Sequence, residues 1–363
     1  MEAAMDKTRQ LLVINVGSTS TKVAWFRGGE QAALENIRYR SEDLAAFADL
    51  EEQLPLRAGD VMKFMEKNGI AMAELDMVVS RGGLGKPAPA GAYRIDPAMC
   101  RDLLAGKYGK HPSALGPAMA LRLAEKFGLP AVVIDAPSTD EFEPLARFSG
   151  LPEIERKSAF HALNQKAAAR RMAKDVGKRY EEIDIVVAHL GGGITVGTHR
   201  RGKVIDCTHG LGEGPFTPER AGSLPTQDLL DLACSGKLDK KALQGRLVGQ
   251  GGLVGYLGTS DAQRVEEMIA AGDKRAELIY AALAYQVAKD IGAMATVLMG
   301  KLDGIVLTGG LAHSGRLTSL IADRVRFLAP VHVHPGEDEM SALAEGGLRV
   351  LAGEEEVKAY GRP

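Results

Sequence analysis

The chain has 363 residues, 45% of them hydrophobic and 25% charged, and its 45 basic against 47 acidic side chains leave a formal net charge of −2. That length exceeds what one hydrophobic core usually serves, so two domains are expected, while the near-neutral balance offers no basic footprint for nucleic acid and no polybasic patch for a membrane. Cys100, Cys207 and Cys234 are odd in number and lack paired spacing, which reads as buried residues in a reducing cytoplasm, and the opening MEAAMDKTRQ has no apolar stretch of a secretory leader.

From the N-terminus, Leu11 to Val16 and Lys22 to Phe26 read as two apolar strands joined by a tight turn crowded with Gly17, Ser18, Thr19, Ser20 and Thr21. Such a turn points backbone N–H groups and hydroxyls into a phosphate-sized concavity, flanked here by the neutral oxygen of Asn15 and the charge of Lys22. An ordinary hairpin whose Ser and Thr only satisfy the turn is an equal alternative. A helix is expected over Asp43 to Asn68 and a strand over Met77 to Val79. Arg81 follows in SRGGLGKP, where a permanently charged planar fork beside Gly82 and Gly83 suits a carboxylate. A helix from Pro117 to Phe127, stopped by Gly128 and Pro130, leads to the strand Ala131 to Ile134 and to Asp135 at its end. Arg81 and Asp135 both stand where α/β sheets place ligands, although a structural ion pair accounts for most such residues. The Gly- and Pro-containing stretch Leu145 to Pro152 is the expected boundary between domains 1–150 and 151–340.

In the second half, His161 opens a helix expected to reach Tyr180, a position where a lone histidine is more often packing than catalysis. Ile183 to Leu190, then Gly191, Gly192 and Gly193, then Ile194 to Thr198 repeat the strand-turn-strand about half a chain after the first, with Val204 to Cys207 as a further strand. His189 precedes the glycines, so its ring is expected over the anion loop. Two such hairpins at half-length spacing suggest a duplicated α/β fold with its active cleft between the halves. Arg220 lies in GLGEGPFTPERAGSLP, a loop long for a mere connection, where a second arginine would neutralise a transferring phosphoryl group.

Helices are expected at Thr226 to Ser235, Asp239 to Val248 and Lys274 to Met299; the last is apolar but broken by Gln286, Lys289 and Asp290, which fits burial rather than a membrane span. The strand Gly304 to Leu307 runs into TGGLAHSG, either a loop that packs a nucleotide against bare backbone or a tight turn. A helix from Gly315 to Phe327 and a strand from Val331 to Val333 lead to HVHPGEDEM. His332 and His334 lack a positioned third zinc ligand there, which leaves one carboxylate of the acidic run serving Mg²⁺ through water, or a solvated turn. The last helix spans Ser341 to Ala352, and residues 341–363 are expected to pack back on the first domain.

The runs INVGSTSTK, SRGGLGKP, RKSAFHALNQKAAARR, VAHLGGGITVG, GEGPFTPERAG, GGLVGYLGTSDA, LTGGLAHSG and PGEDEM occur in an order that resembles the acetate and butyrate kinase family, nearer its butyrate branch, from Leu11 to Leu351. The resemblance implies two duplicated ribonuclease-H-like domains of the actin, Hsp70 and sugar kinase type. It implies Asn15 and Glu339 at a Mg²⁺ site, with Asp338 the alternative carboxylate. Ser18, Ser20 and Lys22 line a first phosphate loop, and His189, Gly191, Gly192 and Gly193 a second. Arg81 and Arg220 contact the carboxylate and the phosphoryl group, Asp135 is acidic, and His161 stabilises the transition state. Asp261, Gly309, Gly310, Leu311, Ala312 and His313 fall in the nucleotide region. Two departures stand out. Gln263 follows Ala262 where the family has Arg, and Gln165 replaces a second His of the acetate branch.

The activity so implied is reversible, butanoate and ATP giving butanoyl phosphate and ADP, with branched acids or acetate and propionate as alternative substrates. A short-chain acid is already ionised at neutral pH, so its carboxylate needs no general base, and Asp135 is expected to orient Mg²⁺-bound water or an arginine. A cytoplasmic homodimer or larger homo-oligomer is implied, with no nucleic acid or membrane partner. A dinucleotide-binding dehydrogenase using Gly210, Gly212 and Gly214 is disfavoured by Pro215 and Pro218, which follow where a helix should start. A non-catalytic nucleotide-binding protein of the actin or Hsp70 type would keep the hairpins without needing Arg81, His161 and Arg220 together.

Overall fold

The strand Gln10–Val16 (β1) is apolar along nearly its whole length because it is covered on both faces, and Leu11, Leu12, Val13 and Ile14 are fully buried. It pairs antiparallel with Ser20–Arg27 (β2), which pairs antiparallel with Glu30–Arg38 (β3), and on its other edge parallel with Met77–Ser80 (β4). Ala92–Arg94 (β5), Ala131–Ile134 (β6) and the short strand Val357–Lys358 complete a seven-stranded sheet. The computed structural model describes residues 8–361; most of the MEAAMDKTRQ stretch lies outside them. Those residues divide into two compact units, one running to Thr139 and resuming at Asp338, the other Asp140–Glu337.

The second unit repeats the first. Asp184–Leu190 (β7), Ile194–Arg200 (β8) and Lys203–Cys207 (β9) form an antiparallel meander, and Gly304–Gly309 (β10) and Val331–Pro335 (β11) add in parallel beside β7. The spatial order is β9-β8-β7-β10-β11 here and β3-β2-β1-β4-β6 in the first unit. This is the duplicated ribonuclease-H-like arrangement expected from the sequence, and it puts the turn after β7 in the same topological place as the turn after β1.

In the first unit the helices Leu115–Phe127 and Glu339–Leu351 pack on the sheet. The second lies so close that a Cβ on Gly346 would collide with Ile134 and one on Gly347 with Val79. In the second unit the long helix Lys274–Val297 buries Tyr280, Leu283, Val287 and Ile291 against β7 and β8. No helix among the described residues is long and apolar enough to cross a membrane.

Several expected boundaries move for physical reasons. The helix expected over Asp43 to Asn68 is two, Ser41–Ala45 and Leu54–Lys67, the second opening with Pro55 in its first turn. The chain passes between units at Thr139/Asp140, ahead of the stretch read as the boundary, because the Glu141 carboxylate pairs with buried Lys166 at 3.0 Å and Phe142 packs with Phe160, Val204 and Cys207. Cys100 and Cys207 are buried, whereas Cys234 is exposed, at the end of a helix with no buried residue.

Candidate active site

In the first unit, Ser18 and Thr19 are exposed at the tip of the β1–β2 turn, with Ser20 partly buried and the Lys22 side chain exposed. The turn is held from within by Arg57. Its guanidinium is fully buried and donates to the carbonyls of Gly17 (3.3 Å), Ser18 (3.0 Å) and Ser20 (3.0 Å) and to the Thr21 hydroxyl (3.2 Å). Gln53 and the face of Tyr39, 4.6 Å away, hold the guanidinium in turn. With its carbonyls drawn to Arg57, the turn is free to offer N–H groups and hydroxyls elsewhere, which is what an anion site needs. Sequence reasoning missed Arg57, which sits in the first turn of the helix Leu54–Lys67 among Leu, Pro, Ala and Gly with no motif around it.

Asn15, one residue before the end of β1, is buried and donates to Glu339 Oε2 at 2.6 Å, while Arg81 Nη2 lies 3.3 Å from Glu339 Oε1. Glu339 therefore joins two residues that the sequence places far apart. Asp338 Oδ1 accepts from Ser341 N to cap the helix (3.0 Å), whereas both Glu339 oxygens lie against Asn15 and Arg81. Among the described residues no group of three or more His, Cys, Asp or Glu is placed to cage a metal. A carboxylate and an amide oxygen fit Mg²⁺, which keeps several waters and is held largely by substrate phosphates. They do not fit zinc.

Asp135 is buried directly after β6 with φ 41°, a left-handed conformation uncommon for a residue other than glycine, and its Oδ1 accepts from Gly91 N at 2.9 Å. Near it, Gly82, Gly83, Leu103, Val133, Ala136 and Tyr360 line an apolar recess. The two glycines do not open that space as their missing side chains suggest. A Cβ at Gly82 would strike Val133, and one at Gly83 would press on Ala114 and Leu103 at 3.2 Å.

In the second unit, the rings of His161 and His189 stack with centroids 4.1 Å apart. His189 Nε2 meets Glu337 Oε1 at 3.1 Å, and this contact leads the causes that hold the Glu337 carboxyl down at about 2. A Cβ on Gly191 would come within 2.9 Å of the same carboxylate. Glu337 was read only as part of an acidic run, and its position beside the glycine loop is visible only once β7 and β11 flank β10.

Arg220 packs flat on Gly193, where any side chain would overlap its guanidinium, and donates through Nη1 to Gly210 O at 2.7 Å. Thr217 ties this loop to the glycines, donating to Gly192 O at 2.7 Å and accepting from Arg220 N at 3.0 Å. Arg220 Nε and His189 Nδ1 are buried with no hydrogen-bond partner, the unmet demand that a bound polar ligand answers. Burial lowers the Arg220 pKa from its ordinary value without removing the charge, a desolvation that an anion beside it would offset.

Gly309 ends β10 with φ 92°, and a Cβ there would collide with Leu190 O. It bridges Gly336 through paired N–H···O bonds of 3.2 and 3.0 Å, and Gly310, Leu311, Ala312 and His313 follow as a single helical turn. Around Gly310 a Cβ would meet open space. The structure does not bring Asp261 to these groups by any hydrogen bond. Its Oδ1 accepts from Gln263 N (2.9 Å) and Arg264 N (3.4 Å), capping the helix Ala262–Ala270.

The sequence profile of the acetokinase family matches residues 153–333. The chain is 48% identical over 352 residues to butyrate kinase 2 of Clostridium acetobutylicum, which covers 97% of this chain and 99% of that one. Its fold resembles an acetate kinase from Porphyromonas gingivalis, with a TM-score of 0.75 at 18% identity over 94% of this chain and 100% of that one. A propionate kinase from Francisella tularensis superposes with a TM-score of 0.73 at 18% identity, over 93% and 98%.

Proposed function

The chain belongs to the acetokinase family, and on that premise we propose that it transfers the γ-phosphoryl group of ATP directly to the carboxylate of a short-chain fatty acid, butyrate first among them. The observation that carries this reading is Arg220, a half-buried guanidinium whose Nε is buried and unpartnered, laid against the glycine loop that follows His189, whose ring stacks on His161. That is a prepared place for a phosphoryl group whose charge spreads over its equatorial oxygens.

Two anions must meet, and their repulsion is the obstacle. Arg81 holds the acid's carboxylate as a fork, Arg220 and His161 donate to the transferring group, and each such donor contributes about 10²–10³ in rate. The nucleophile is already ionised, so Asp135 orients rather than abstracts; one of its oxygens is occupied by the Gly91 N–H. Ser18, Ser20, Lys22 and the loops at Gly191 and Gly309 hold ATP. Asn15 and Glu339 would hold Mg²⁺, which would neutralise phosphate charge. The acyl phosphate product is itself a strong phosphoryl donor, so the reaction runs in both directions.

Butyrate is favoured over neighbouring acids by the name of the 48%-identical relative and by the apolar lining of the recess near Asp135. Each buried methylene is worth about 0.8 kcal/mol, so adjacent acids should differ by about fourfold. The protein works in the cytoplasm as a homodimer or larger homo-oligomer. Phosphorus NMR of the protein with butyrate, Mg²⁺ and ATP tests the reading. An acyl phosphate resonance growing in step with ADP is expected; ADP with inorganic phosphate alone would make the chain a nucleotide hydrolase.

A further inference from the structure

Behind His161 four side chains form one buried line of hydrogen bonds that the transfer described above does not use. Thr195, Gln165 and His199 are fully buried, and Tyr180 is nearly so. His161 Nδ1 lies 2.8 Å from Thr195 Oγ1, which lies 2.9 Å from Gln165 Nε2. Gln165 Oε1 is 3.0 Å from His199 Nε2, and His199 Nδ1 is 2.7 Å from the Tyr180 hydroxyl. The line is built in, since any Cβ on Gly197 would overlap Gln165 Oε1.

Every hydrogen along it can be assigned from one fixed acceptor. The backbone oxygen of Thr195 has lone pairs only and lies 3.1 Å from one end of the Gln165 amide, so that end is Nε2. The second hydrogen on Nε2 goes to Thr195 Oγ1. Gln165 Oε1 therefore accepts, and His199 Nε2 carries a hydrogen. Burial, reinforced by Lys166 and Arg170, keeps the His199 ring neutral, which leaves its Nδ1 bare to accept from Tyr180. At the other end Thr195 Oγ1 already accepts from Gln165. Among the described residues, the acceptor found for the hydroxyl's own hydrogen is His161 Nδ1.

We propose that this buried line fixes His161 as the neutral tautomer bearing its hydrogen on Nε2, so that it offers an N–H donor to the transferring phosphoryl group. Thr195, Gln165, His199 and Tyr180 are then positioning residues. The catalytic meaning rests on the function proposed above; the location of the hydrogen does not. A neutral donor also avoids placing two imidazolium charges 4.1 Å apart in the stack. The donor persists at neutral pH without an added proton.

The test is long-range proton–nitrogen correlation NMR on the full chain labelled in histidine, with His161 assigned from the signals lost in His161→Gln. A neutral ring protonated on Nε2 at about pH 7.5 is expected. A ring protonated on Nδ1 would overturn the proposal whatever the activity. Gln165→Met should leave His161 in a mixture of tautomers and lower kcat by about ten- to a hundredfold, with the KM for ATP within about twofold. An unchanged tautomer and kcat would remove Gln165 from the role, and if that variant does not fold, the unmodified protein's spectrum still decides the tautomer. An Nε2-protonated ring in a protein that phosphorylates no acid would support the assignment and contradict the function instead.

Discussion

Arg57 spends a fully buried guanidinium on neutral oxygens, mostly carbonyls of a single turn. Replacing it by Met keeps much of the volume and takes that donor from the Gly17 and Ser18 carbonyls, while the Ser20 carbonyl keeps the Gly17 N–H at 2.9 Å, each unmet group costing about 1–3 kcal/mol. Arg57→Met should therefore lower stability to denaturant by about 2–4 kcal/mol and raise the KM for ATP well above any change in the KM for the acid. Asp290 makes a prediction of opposite sign. Burial in the long helix raises its carboxyl from 3.8 to about 6, so stability is lost as pH climbs between those values, when the unfolded chain ionises and the folded one does not. Asp290→Asn should stabilise the protein by about 1–3 kcal/mol above pH 6 and by little near pH 4, measured by denaturant unfolding across that range. At this scale the sequence singled out charged residues set in glycine- and proline-rich runs, as Arg81 and Arg220 are. It was silent on Arg57 because a buried and an exposed arginine look alike within a helix, and on Glu337 because three acids in a row do not say which one turns inward.

The glycine turns are the elements on which the site depends most directly. Gly193 lies beneath the Arg220 guanidinium, and even a methyl group there displaces it. Gly193→Ala should lower kcat by about a hundredfold, the loss expected when one charge-stabilising donor is misplaced, while the unfolding midpoint barely moves. A thermal melt and initial rates check both halves of that outcome. The apolar strands beside these turns were readable because burial on both faces leaves continuous hydrophobic runs, as in β1, β4, β7 and β10. The edge strand β3, EQAALENIR, was not, because it keeps no buried residue and its alternation is mixed with charge. The helices Pro97–Leu104 and Ala262–Ala270 announce themselves mainly by the caps Asp96 and Asp261, which in sequence look the same as functional carboxylates.

Across the whole molecule, the recurrence of one strand order in both units explains why two short hairpins, each weak evidence alone, pointed to the right fold. Duplication leaves the same topological slot after β1 and after β7, and each copy fills it differently: hydroxyls and a lysine in the first, glycines beneath an arginine in the second. The chain's second passage between units, Glu337/Asp338, separates two carboxylates with different work, Glu337 on His189 and Glu339 on Asn15 and Arg81. No reading of the linear order shows that neighbouring acids belong to different units, since it follows only from which strand end each one meets. The central claim, that these groups together pass a phosphoryl group from ATP to a short-chain carboxylate, is tested most directly by trapping the product with hydroxylamine. The assay supplies ATP and Mg²⁺ with acetate, propionate, butyrate, isobutyrate and isovalerate in turn. Hydroxamate that peaks with a four-carbon acid and falls by about fourfold per methylene towards acetate is the predicted result; no hydroxamate from any acid, in a protein that still binds ATP, would contradict it.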